Sequence, residues 1–193
     1  MIVRSRESSA RRRVLETASA LFYAEGIHTV GIDRIIAEAG VAKATFYHHF
    51  PAKDELVRAY LEAEYQRQRA ALEAVRQDAT GPREALLDIF DLLVRNAANP
   101  QFRGCPFTNA AAEYPDPTHP VRRTIADYRR WNRGLFRDLL AEAGHPEPES
   151  TAAMLMMLRD GIVVGGDLDA PGPLHPHARE AVGRIMDSAG APT

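Results

Sequence analysis

The stretch GVAKATFYHHF, Gly40 to Phe50, holds a lysine, a threonine, a tyrosine and two adjacent histidines within eleven positions. Catalysis, metal binding and contact with a polyanion all use such a set. Spacing separates these uses. Phe46 and Phe50 are four apart, so on a helix they share a face and can anchor it. Lys43, Ala44, Thr45, Tyr47 and His48 are then left pointing outward. Gly40 suits a tight turn into that helix. Adjacent histidines on a helix point about 100° apart, and metal-binding pairs prefer a spacing of four. Neither a metal site nor a cofactor is therefore expected. Contact with DNA fits better. The free N–H groups of a helix start attract phosphate. Small Ala44 permits close approach to a groove, Thr45 can bond phosphate or touch a thymine methyl, and Lys43 can reach phosphate or guanine.

The rest of the 193-residue chain sets the context for that helix. Hydrophobic residues make up 45 %, enough for a sizeable core, and the formal net charge is only -2. The charge is uneven. Residues 1–58 carry nine Lys/Arg against seven Asp/Glu, and the remainder carries fifteen against nineteen. Five arginines, Arg4, Arg6, Arg11, Arg12 and Arg13, fall in the first thirteen residues, either as a solvated tail or as an arm toward DNA. With Cys105 as the sole cysteine, no disulfide can close within the chain, which fits a reducing compartment. No apolar run reaches the roughly 18 residues of a membrane span, and no leader-like segment follows the arginines. No membrane association is expected, and the expected location is cytoplasmic.

Helical periodicity dominates. Val14, Leu15, Ala18, Leu21 and Phe22 make one face, closed by Gly26; Ile32, Ile35, Ile36 and Ala39 make a second, closed by Gly40. A third short helix runs from about Lys43 to Phe50. After Pro51 a long segment without Gly or Pro reads as helix up to the break at residues 80–82. Further helices are expected at about 83–97, 105–113, 118–142, 149–164 and 175–188, between Pro- and Gly-rich separators. The class is all-α, with about nine helices. A helix-turn-helix domain at 1–50 extends into a long helix starting near 52, and a larger body covers 51–193.

Residues 26–61, GIHTVGIDRIIAEAGVAKATFYHHFPAKDELVRAYL, closely resemble the DNA-binding head of the TetR family of transcriptional regulators. The Gly-Val-x-Lys turn, the x-Thr-Phe-Tyr-x-His-Phe helix and the x-Lys-Asp-Glu-Leu start of the next helix carry the likeness. The resemblance implies a DNA-facing set of Gly31, Lys43, Ala44, Thr45, Tyr47, His48, His49 and Lys53. It also implies a repressor released from a near-palindromic double-stranded operator by a small-molecule effector, acting as a homodimer through helices within 149–188. Lys43 and Lys53 are the only lysines in the chain, and both fall where the family approaches DNA. Ala42 and Ala52 stand where many relatives have serine. Losing a side-chain cap costs about 1 kcal/mol, which Asp54 and Glu55 partly offset at the start of the long helix.

For the effector, CPFTNAAAEY at 105–114 mixes small residues with Cys105, Phe107, Asn109 and Tyr114, which can contact a ligand. Tyr128 and Trp131, three apart, can line a pocket or pack in the core. Cys105 reads as a buried small hydrophobe, as a ligand contact, or as a thiol that senses oxidants or electrophiles. A Cys-dependent enzyme pairing Cys105 with a histidine such as His119 is a more distant rival, since no further catalytic constellation accompanies it. The expectation is therefore no enzyme. AAMLMMLRDGIVV, 152–164, is apolar nearly all round, which calls for burial on more than one side.

Overall fold

A computed structural model describes residues 9–169 and 174–188. Nine α-helices run through the described residues: α1 Ser9–Glu25, α2 Ile32–Ala39, α3 Lys43–His49, α4 Lys53–Asp78, α5 Pro82–Ala97, α6 Pro106–Glu113, α7 Pro120–Glu142, α8 Pro148–Leu168 and α9 Leu174–Asp187. The fold is all-α, as expected. Of the five N-terminal arginines, Arg4 and Arg6 lie outside the described residues, whereas Arg11, Arg12 and Arg13 belong to α1 rather than to a tail. None of the described helices is long and apolar enough to cross a membrane.

The chain forms two compact units. The first runs to Tyr65 and takes in Pro106–Ile125; the second comprises Gln66–Cys105 and the chain from Ala126. Thus α6, placed in the body by the sequence, belongs with the helix-turn-helix. Tertiary hydrogen bonds explain why, and sequence periodicity does not report them. The Glu113 carboxylate at the end of α6 accepts the backbone N–H groups of Ile27 at 2.8 Å and His28 at 2.6 Å. Those two groups lie in the turn between α1 and α2. Without a partner each would carry a desolvation cost.

In the first unit, α1 packs against α2 and α3. Val14, Ala18, Leu21, Phe22, Ile35, Phe46, Phe50, Leu56, Val57, Tyr60 and Leu61 supply its buried core. Gly40 ends α2 in the left-handed conformation (φ 61°), and its N–H bonds back to Ala37 and Ile36. A side chain at this φ would be strained, so glycine fixes the sharp turn that leads to α3.

In the second unit, α5 packs on α8 and α9, and α8 on α9. Leu86, Ile89 and Phe90 of α5 meet Leu135, Phe136, Leu139 and Leu140 of α7 in a core that α8 and α9 complete with Leu155, Met156, Ile162, Val182 and Met186. A Cβ at Gly166 would lie 2.5 Å from the Ala97 Cβ, so only glycine allows α8 to pass the end of α5 this closely.

Candidate nucleic-acid interface

Helix α3 is held from below. Phe46 and Phe50 are fully buried, with ring centroids 6.1 Å apart, and the Arg11 guanidinium lies over the Phe50 ring at 5.2 Å. On the opposite side Lys43, Ala44, Tyr47 and His48 are exposed. Their spacing of one, three and one residues puts them on a single helix face. Thr45 and His49 sit half-buried at the flanks. The imidazoles of His48 and His49 meet edge to face at 5.0 Å. Ala42 caps α3 without a side-chain hydrogen bond, as the sequence implies.

Two further members of the set flank this face. Gly31 is the exposed N-cap residue of α2, with extended backbone and no side-chain cap. The Lys43 ammonium bonds the Asp33 carboxylate at 3.0 Å, with both groups exposed. That hydrogen bond, then the Asp33 charge, raises the lysine above its ordinary value. Lys53 is more enclosed. Burial lowers its amine against the pull of Glu113 and Asp54, and the ammonium lies 5.9 Å from the centre of the Phe22 ring.

The candidate ligand residues divide between the units. Phe107, Asn109 and Tyr114 are in the first, where Phe107 and Tyr114 are buried and Asn109 is exposed. Tyr114 donates its hydroxyl to Asp54 at 3.0 Å and stacks on His119 at 4.7 Å. In the second unit Cys105 and Tyr128 are brought together by Arg159. Its Nη2 lies 3.6 Å from the Cys105 Sγ and 2.7 Å from the Tyr128 oxygen. Trp131, half-buried, lies beside Tyr128 with ring centroids 6.3 Å apart. Tyr128 in turn donates to Gln68 at 2.6 Å and accepts from Asn132 at 3.2 Å. Sequence reading missed Arg159, Asn132 and Gln68. The signal for Arg159 was there: an Arg-Asp pair interrupts an otherwise apolar helix.

The comparisons agree with this geometry. Residues 14–60 match the bacterial regulatory proteins of the tetR family. The crystal structure of SCO4454, a TetR-family transcriptional regulator from Streptomyces coelicolor, is 40% identical and superposes with a TM-score of 0.89, covering 94% of this chain and 96% of that one. The chain belongs to the TetR family. A tetR-type regulator from Streptomyces avermitilis superposes at 0.83 with 28% identity, over 94% of this chain and 98% of that one. The HTH-type transcriptional regulator LmrA of Bacillus subtilis is 29% identical over 164 residues, 80% of this chain and 85% of its own. This TetR-family member is a DNA-binding transcriptional regulator.

Proposed function

We propose that the protein is a homodimeric, cytoplasmic repressor without enzymatic activity, released from DNA by a small organic effector. The exposed face of Lys43, Ala44, Tyr47 and His48 on the phenylalanine-anchored α3 carries the DNA-binding assignment. This face enters the major groove, with Thr45, His49, Lys53 and the N-terminus of α2 at Gly31 on flanking phosphates. Two heads reading successive grooves require half-sites roughly 34–36 Å apart.

An exposed stripe on α8 supports dimerisation through 149–188. Met157, Val164 and Leu168 are 68%, 49% and 74% exposed, and with exposed Gly161 they follow the four-three-four spacing of a helix-packing seam. Such a contiguous apolar stripe asks for a partner. A ligand in the second unit, contacted by members of the set Cys105, Tyr128 and Trp131, would act by preferring the DNA-incompetent state. A tenfold preference corresponds to about 1.4 kcal/mol of coupling. The buried position of Cys105 favours packing or ligand contact over an open sensing thiol. Both ring nitrogens of His119 are engaged, by Asp54 at 3.3 Å and the Val121 N–H at 3.3 Å, so this imidazole is not poised as a base for Cys105.

Selection of bound sequences from a random duplex library tests the reading. Recovery of a two-fold repeat with about one helical turn between half-sites is expected. Recovery of no shared sequence would overturn it.

A further inference from the structure

We propose that Arg159, Tyr128 and Asn132 form the recognition site for an effector that is a small organic acid with a hydrogen-bond donor on a planar body. The inference rests on the effector reading above and names the chemical class of the ligand.

Charge comes first. Arg159 is 4% exposed, in the middle of an apolar helix. Its Nη1 bonds the Asp160 carboxylate at 2.8 Å, and Arg129 grips the same carboxylate at 3.1 and 2.7 Å. Two guanidiniums therefore meet at one carboxylate. Burial raises the Tyr128 phenol, so at neutral pH it is an uncharged hydroxyl and offsets nothing. Guanidinium does not deprotonate in proteins, and a buried charge is retained at a cost unless it is paired. Arg129 and Asp160 reach solvent, with side chains 43% and 36% exposed, whereas Arg159 is buried and has only a shared carboxylate as its partner, and such a guanidinium suits an anion.

The second observation is independent. Asn132 is 1% exposed, and its Nδ2 donates to the Tyr128 oxygen. Its Oδ1 is buried with no hydrogen-bond partner among the described residues. Buried amide oxygens are rarely left so. Tyr128 links the two groups, because its oxygen is bonded to both Arg159 and Asn132. One molecule that presents a carboxylate to Arg159 and a donor to Asn132 satisfies both ends. The aromatic side of Trp131 beside Tyr128 favours a flat body on the ligand.

The test uses full-length protein with 4-hydroxybenzoate, 4-hydroxycinnamate and indole-3-acetate, each against its primary amide, by titration calorimetry. At least one acid should bind at least about tenfold more tightly than its amide, and Arg159→Gln should abolish the difference. Asp160→Asn removes the shared carboxylate while keeping its shape, and should tighten acid binding several-fold. A purely structural Arg159 predicts no such gain, so this variant decides the matter should Arg159→Gln fail to fold. Equal binding of acid and amide, binding of none of the acids, or unchanged acid affinity in Asp160→Asn would each overturn the proposal. Acids that bind as expected but leave the operator complex intact would instead refute effector release and spare the site.

Discussion

The hydroxyl of Tyr114 donates to the Asp54 carboxylate at 3.0 Å, which joins the residue after α6 to the first turn of α4. Sixty positions separate the two residues. Asp54 also faces His119, and the neighbouring Glu113 closes the turn between α1 and α2. Four polar contacts, made by Glu113, Tyr114 and His119, thus attach Pro106–Ile125 to the rest of the first unit. Burial, then the bond to Asp54, raises the Tyr114 phenol, so it stays a donor throughout the physiological range.

Removing these contacts should destabilise in a graded way. Tyr114→Phe loses one hydrogen bond to a half-buried carboxylate and should cost about 1 kcal/mol. Glu113→Ala leaves the Ile27 and His28 N–H groups without their partner and should cost about 1–3 kcal/mol. Urea melts followed by circular dichroism measure both. A Glu113→Ala midpoint equal to wild type would show that the carboxylate is dispensable.

Lys43→Ala and Tyr47→Phe should weaken operator binding while leaving the melting temperature unchanged, since both side chains are exposed. Lys43→Ala should also reduce the slope of log affinity against log salt by about one, the change expected when one phosphate contact is lost. Fluorescence anisotropy across salt concentrations is the measurement. Wild-type affinity at every salt concentration for either variant would mean that α3 presents another face to DNA.

How far the chain could be read before its structure depended on the range of the interaction. The turn at Gly40, the Phe46–Phe50 anchor and the outward set on α3 are local, and the helical period displays them. Helix number and order were likewise open to view, because Pro and Gly mark nearly every boundary. Membership of α6 in the first unit was not, since it rests on hydrogen bonds across eighty-odd residues. The interior of α8 shows a second limit. Its apolar run has no polar stripe to say which methionine faces which way. Periodicity alone therefore does not separate Met156 from Met157, whereas packing buries the first and leaves the second outside.

Acid should expose the Asp160 contacts. Burial pushes this carboxyl up, but hydrogen bonds and charge from Arg129 and Arg159 outweigh it and hold it below the usual carboxylate value. A depressed folded value stabilises above the unfolded value, near ~3.9, and the gain is lost as pH falls through the folded one. Asp160→Asn should therefore lower stability at pH 7 and flatten its decline below about pH 4. Because the side chain is 36% exposed, solvent screening keeps the effect modest. Urea midpoints for both proteins between pH 7 and pH 3 measure it, and parallel curves would contradict it.

The two methionines of α8 give opposite expectations. Met156 is 6% exposed and belongs to the core with Leu155 and Ile162, whereas Met157 is 68% exposed. Met156→Asp puts an unpaired charge into that core, which costs several kcal/mol by the usual desolvation penalty, and should give aggregated or unfolded protein. Met157→Asp is tolerated by a lone subunit, because its side chain already faces out. In a dimer it places two like charges in an apolar seam, and a penalty of about 3 kcal/mol would weaken association roughly a hundredfold. Sedimentation velocity should then show folded monomer for Met157→Asp and for Val164→Asp. Operator affinity should fall with dimerisation, since one head reads only one half-site. Clean dimers from both variants would move the subunit interface off this face of α8.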